Sequence, residues 1–148
     1  MCISYDESIG QLTNQTNKKL MRYLNSKLEL HDITLEQWNV LLKLSQHEKI
    51  NQKQLADKVD KDQPTLARIL DILERKKLVE RKPNKEDKRA FTLHITDKGL
   101  SLKEKVEPFL ESFFEIIILG ISNEDLEIYK HVLTKINSNI SIQEMGEK

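Results

Sequence analysis

The sequence predicts a mainly α fold, a winged helix-turn-helix with a small β wing, framed by long helices at both ends. Three observations carry that prediction. Two apolar stripes of helical period, Leu55-Ala56-Val59 and Leu66-Ile69-Leu70-Leu73, are separated by the polar Asp60-Lys61-Asp62. The strictly alternating Phe91-Thr92-Leu93-His94-Ile95 follows Leu78-Val79-Glu80-Arg81 across a charged loop, the pattern of two strands paired as a hairpin. Both ends of the chain carry helical stripes with more apolar surface than one small lobe can cover.

Taken in order, Ile9, Leu12, Thr16, Leu20, Leu24 and Leu28 recur every three or four residues and predict an amphipathic helix over 7–30, after a loose 1–6. Thr34, with Gln37 three residues on, forms a capping box that opens a second helix running to about Gln46. Leu35, Trp38, Leu41, Leu42 and Ser45 line it, and Ile50 is placed to add a short third strand beside the wing. Asn51 with Gln54 is a second capping box, at the start of the first helix of the helix-turn-helix. Asp62 suits the N-cap of the next helix, where Pro64 in the first turn loses no hydrogen bond. The wing strands 78–81 and 91–95 close across 83–89, a loop too charged to be core.

Thr96 can cap a helix running to about Leu119, bent at Pro108, where a backbone donor is missing. Val106, Phe109, Leu110, Phe113, Phe114, Ile117 and Ile118 give it a wide apolar surface, and Gly120 ends it. Ser122 caps the last helix, with Asp125 standing in for the usual glutamate. Leu126, Tyr129, Val132, Leu133 and Ile136 stripe that helix to about Ile140, and 141–148 reads as a frayed polar tail.

Three motifs in this order and spacing are specific together. Leu78-Val79-Glu80-Arg81 comes soon after the second helix of the pair, Asp87-Lys88-Arg89 lies in the wing, and Leu93-His94-Ile95-Thr96-Asp97-Lys98-Gly99 leads from strand to helix. They resemble the DNA-binding lobe of the MarR family of bacterial transcription regulators, whose wing carries Asp-x-Arg. Asp62-Gln63-Pro64-Thr65-Leu66-Ala67-Arg68 resembles recognition-helix starts of that family, and Ile33-Thr34-Leu35-Glu36-Gln37-Trp38 its approach to the second helix. The resemblance covers nearly the whole chain. It implies one MarR-like domain over 1–148, with a winged-helix DNA-binding lobe at 33–98 and dimerisation helices at 7–30 and 99–140.

Composition limits the alternatives. Hydrophobic residues make up 38% and charged residues 32%, as in a soluble helical chain, and no apolar run approaches the roughly 20 residues of a membrane span. The amino terminus lacks the basic and apolar regions of a signal peptide, and one cysteine cannot form an internal disulfide, so a cytoplasmic location is expected. Net charge is zero, yet residues 49–89 hold 13 Lys+Arg against 8 Asp+Glu. A basic lobe on an acidic frame suits a reader of DNA, which needs phosphate attraction locally. None of His31, His47, His94 and His131 stands at ligand spacing from Cys2 or another histidine, so no metal is expected. His94 falls on the polar face of its strand and is expected to be solvated. With no phosphate loop and no nucleophile elbow, no cofactor and no enzyme activity are expected. Cys2 precedes the helix in which some relatives carry a redox-sensing cysteine, and it reads as an idle thiol.

The resulting expectation is a sequence-specific regulator that binds double-stranded DNA as a homodimer and represses transcription until a small ligand releases it. Two-fold symmetry would present two recognition helices to successive major grooves. Gln63, Pro64, Thr65 and Arg68 would face base edges. Lys85 and Lys88 would also bind DNA, and Arg89 would enter the minor groove with Asp87 bracing it. The structural alternative for Arg68 is an ion pair with Asp71. The resemblance also implies a small, often aromatic effector between the terminal helices and the lobe, where Tyr23, His31 and Trp38 could line a site; for Trp38 plain core packing is the favoured reading. A different class remains open, a winged-helix protein-interaction module whose basic wing is merely solvated.

Overall fold

The structure, a computed structural model, describes residues 5–87 and 90–147. Contacts divide the chain into two compact units, 1–111 and 112–148.

The first unit begins with a π-helical turn, Tyr5–Gly10, that leads into α1 (Gln11–Leu28) and then a 3-10 turn (Glu29–His31). Residues 5 and 6 are thus already helical, not loose. Only Leu24 and Leu28 of α1 are buried; Ile9 and Leu12 of the same stripe are exposed. α2 (Leu35–Ser45) opens on the expected capping box, in which Thr34 Oγ1 accepts from the Gln37 N–H at 3.2 Å and Gln37 Oε1 accepts from the Thr34 N–H at 3.2 Å. α3 (Gln52–Val59) opens on the second box, Asn51 with Gln54, at 2.8 and 3.0 Å. α4 (Gln63–Arg75) is capped by Asp62 and has Pro64 in its first turn. Leu66, Ile69, Leu70 and Leu73 are all buried, as their spacing requires, and each such side chain contributes about 1.5–3 kcal/mol on leaving water. They pack in the lobe that also buries Trp38, Val40, Leu41, Leu44, Leu55, Val79, Leu93 and Val106.

The wing is a three-stranded antiparallel sheet in the order β1-β3-β2, formed by β1 (Ile50–Asn51), β2 (Val79–Pro83) and β3 (Phe91–Ile95). Ile50 opposite Leu93 supplies the expected third strand. β2 runs two residues further than its apolar start suggested, because Lys82 and Pro83 still pair with Thr92 and Phe91. Pro83 sits at the strand end, where a missing donor costs little. His94 is half-buried, with Nε2 2.9 Å from the hydroxyl of Thr92 two residues away on the same face.

Among the described residues, four other than glycine hold positive φ: Asp32 (53°), Lys49 (54°), Asp60 (52°) and Lys77 (63°). Lys77 closes α4 in a Schellman turn. Leu78 N–H donates to Leu73 O at 2.9 Å and Lys77 N–H to Glu74 O at 2.9 Å, which satisfies carbonyls that a helix end leaves open.

α5 (Asp97–Ile117) starts on Thr96, whose Oγ1 accepts from the Gly99 N–H at 3.0 Å and donates to Lys77 O at 2.7 Å. It continues through Pro108 and ends two residues short of Leu119, where Leu119 N–H donates to Ile116 O in a tightened turn and Gly120 takes φ 83°. In the second unit Ser122 caps α6 (Asn123–Gly146) by accepting from the Asp125 N–H at 3.1 Å. α6 does not fray at Ile140. The sequence offers no proline or glycine after it until Gly146, so nothing stops the helix earlier. Ile128, Tyr129, Val132, Ile136, Ile140, Ile142 and Met145 are all exposed along α6.

Candidate nucleic-acid interface

α4 presents an outward face opposite its buried stripe. Asp62 Oδ1 accepts from the Thr65 N–H at 2.8 Å, and this bond, helped by the Thr65 hydroxyl and by the positive charge of Arg68, holds the Asp62 carboxyl below the usual carboxylate range. The cap fixes where the helix begins. Gln63, Pro64 and Arg68 are exposed and Thr65 is half-buried, so all four expected contacts lie outside the core. The turn before them is tied back by Lys61 Nζ to Glu36 Oε1 at 3.2 Å, and Gln52 Nε2 reaches Gln63 O at 3.5 Å. Among the described residues Arg68 has neither a hydrogen bond nor an ion pair. The alternative pairing with Asp71 is not formed, because Asp71 is held at 2.8 Å by Arg81 Nη1.

The wing loop is shaped by its own backbone. Asn84 N–H donates to Ala90 O at 2.9 Å, Ala90 N–H to Asp87 O at 3.1 Å, and Glu86 N–H to Asn84 Oδ1 at 2.9 Å. Lys85 and Asp87 are exposed near the tip. Lys88 and Arg89 lie outside the described residues. Lys49, Lys82, Lys85 and Glu86 border a concavity of about 530 Å³ beside the wing, in which three lysines outnumber one carboxylate.

Tyr23, His31 and Trp38 do not gather around one site. Trp38 is 3% exposed and belongs to the apolar stripe of α2, which turns it into the core. Tyr23 lies half-buried on α1 under the Lys27 ammonium, 5.4 Å from its ring centroid. His31 lines a cavity of about 330 Å³ with Asp32, Lys76, Leu78, Lys98, Leu102 and Lys105, where three lysines outnumber one carboxylate. Its ring meets Phe109 edge-on at 4.6 Å. Lys76 Nζ donates to Asp32 O and Gln37 Oε1, and Lys98 Nζ donates to Lys76 O at 2.9 Å, so three corners of the lobe meet at this cavity. Sequence reasoning missed Lys76 and Lys98, since neither belongs to a periodic stripe.

The MarR family profile matches residues 33–91. An HTH-type transcriptional regulator, SarZ of Staphylococcus haemolyticus, is 30% identical over 121 residues that span 80% of this chain and 82% of that one. The chain belongs to the MarR family. Its resemblance to MarR-family structures extends to DNA complexes. A mutant MarR from E. coli complexed with operator DNA is 28% identical with a TM-score of 0.83, covering 91% of this chain and 99% of that one. The S. aureus MepR–DNA complex is 27% identical with a TM-score of 0.81, covering 93% and 99%. As a MarR-family member the chain is a DNA-binding transcription regulator, not an enzyme. No helix among the described residues is long and apolar enough to cross a membrane.

Proposed function

We propose that this MarR-family chain is a cytoplasmic homodimeric repressor that reads a specific duplex sequence through α4 and the wing and is released by a small ligand. The observation that carries the reading is Arg68, exposed on the outward face of a firmly capped α4 and unpaired among the described residues. Gln63, Pro64 and Thr65 flank it at the helix start, and Lys85, Asp87, Lys88 and Arg89 form the wing contact, with Asp87 bracing Arg89. The exposed apolar stripe of α6 supports the dimer. The cavity beside His31 supports ligand release, because its cationic rim and apolar floor suit a small aromatic anion and its walls carry the joints that aim α4.

The test is the salt dependence of duplex binding. A protein with about 6–10 phosphate contacts loses roughly 10³–10⁵ in affinity between 50 and 200 mM salt. A steep response supports the reading, and a flat one favours a winged-helix module that binds another protein. Base readout is tested separately. Arg68→Ala should lose about 1–3 kcal/mol of discrimination at one base position per half-site, the worth of a bidentate arginine–guanine pair. Equal weakening on all sequences would make Arg68 a phosphate contact.

A further inference from the structure

Arg81 hangs from β2, yet its side chain serves α4. Nη1 lies 2.8 Å from Asp71 Oδ1 and 3.4 Å from Glu74 Oε1, Nη2 donates to Ala67 O at 3.4 Å, and the Arg81 N–H donates to Glu74 Oε2 at 3.2 Å. Ala67, Asp71 and Glu74 follow one another at spacings of four and three, so a single guanidinium covers one whole edge of the helix. That side chain is 21% exposed, whereas those of Asp71 and Glu74 are 59% and 44% exposed. Asp71 also lies three residues after Arg68, within reach of it on the helix surface. Two cations therefore compete for one carboxylate, and in this structure Arg81 holds it.

We propose that Arg81 is a positioning residue for DNA recognition: by holding Asp71 it keeps the Arg68 guanidinium available for a base. The inference rests on the reading of α4 as the recognition helix. Without Arg81, Asp71 turns to Arg68 and occupies the guanidinium that would read a base. Arg81 itself need not touch DNA.

The experiment measures affinity for a duplex selected from a random library by the wild-type protein, and for a scrambled duplex, at two salt concentrations. Arg81→Ala should weaken binding to the selected duplex by about tenfold, with little change on the scrambled one. Adding Asp71→Asn to Arg81→Ala should recover most of that loss, since the competitor for Arg68 is then neutral. Asp71→Asn alone, which keeps helix α4 intact, should bind at least as tightly as wild type. Arg81→Lys, with a cation still near Asp71, should fall between wild type and Arg81→Ala. If Arg81 contacts phosphate instead, Arg81→Ala weakens both duplexes, lowers the salt slope by about one, and gains nothing from Asp71→Asn; that result overturns the inference. So does an Arg81→Ala protein that binds as wild type does, or weak binding by Asp71→Asn alone should Arg81→Ala fail to fold. A wild-type protein with no salt-dependent duplex binding overturns the functional reading first, and the two failures are thereby distinguished.

Discussion

Gly99→Ala should lower the melting temperature by about 10 °C, the result of roughly 3 kcal/mol of overpacking in a chain of this length. Gly99 is buried in the first turn of α5, and a Cβ there would collide with Leu78 O and lie 2.6 Å from Ile95 Cγ1. The isoleucine can rotate. The carbonyl cannot, because it accepts from the Thr96 N–H at 3.0 Å and its own residue donates to Leu73 O at 2.9 Å. α5 would have to leave the lobe to make room, taking with it the bond between Lys98 Nζ and Lys76 O. Thermal unfolding followed by circular dichroism checks this, and an unchanged midpoint would mean that the start of α5 yields freely.

Val132→Asp should turn a dimer into a monomer. Val132 is 47% exposed in the single chain, so a carboxylate there stays solvated and the fold survives. Buried against a second copy, the same carboxylate has no partner. A cost of about 3 kcal/mol or more then raises the dissociation constant at least a hundredfold. Sedimentation at micromolar concentration should show twice the 17.4 kDa of one chain for the wild type and 17.4 kDa for the variant. Lys130→Asp, about 160° around α6 from Val132, is the control and should leave the mass unchanged. A wild type that sediments as a monomer removes the dimer from the proposal.

These two predictions differ in how visible their residues were in the sequence. The stripe of α6 was legible, since Leu126, Tyr129, Val132, Leu133 and Ile136 repeat at helical spacing; so were both capping boxes, the Asp62 cap and the strand pair, each set by neighbours within a few residues. Gly99 was visible only as part of a motif, because the reason for it is the carbonyl of Leu78, 21 positions earlier and brought close by the fold. Arg81 was legible as a motif residue in the same limited way. Its bonds to Asp71 and Glu74 depend on the angle at which β2 leaves α4. The burial of Trp38, for which core packing was the favoured reading, was legible from its place on the stripe of α2. The end of α4 was hidden because Lys77 occupies the left-handed position where glycine is the usual signal.

That choice of residues at the corners has a consequence for how the chain can vary. Asp32, Lys49, Asp60 and Lys77 each accept a left-handed backbone, which costs about 1–2 kcal/mol for a residue with a Cβ. Asparagine and glycine tolerate that conformation more easily, so drift toward either at these four sites leaves the helix angles intact. A β-branched residue is excluded there regardless of charge or solubility. The lobe thus carries four positions that look like ordinary solvated surface but filter substitutions by backbone shape alone.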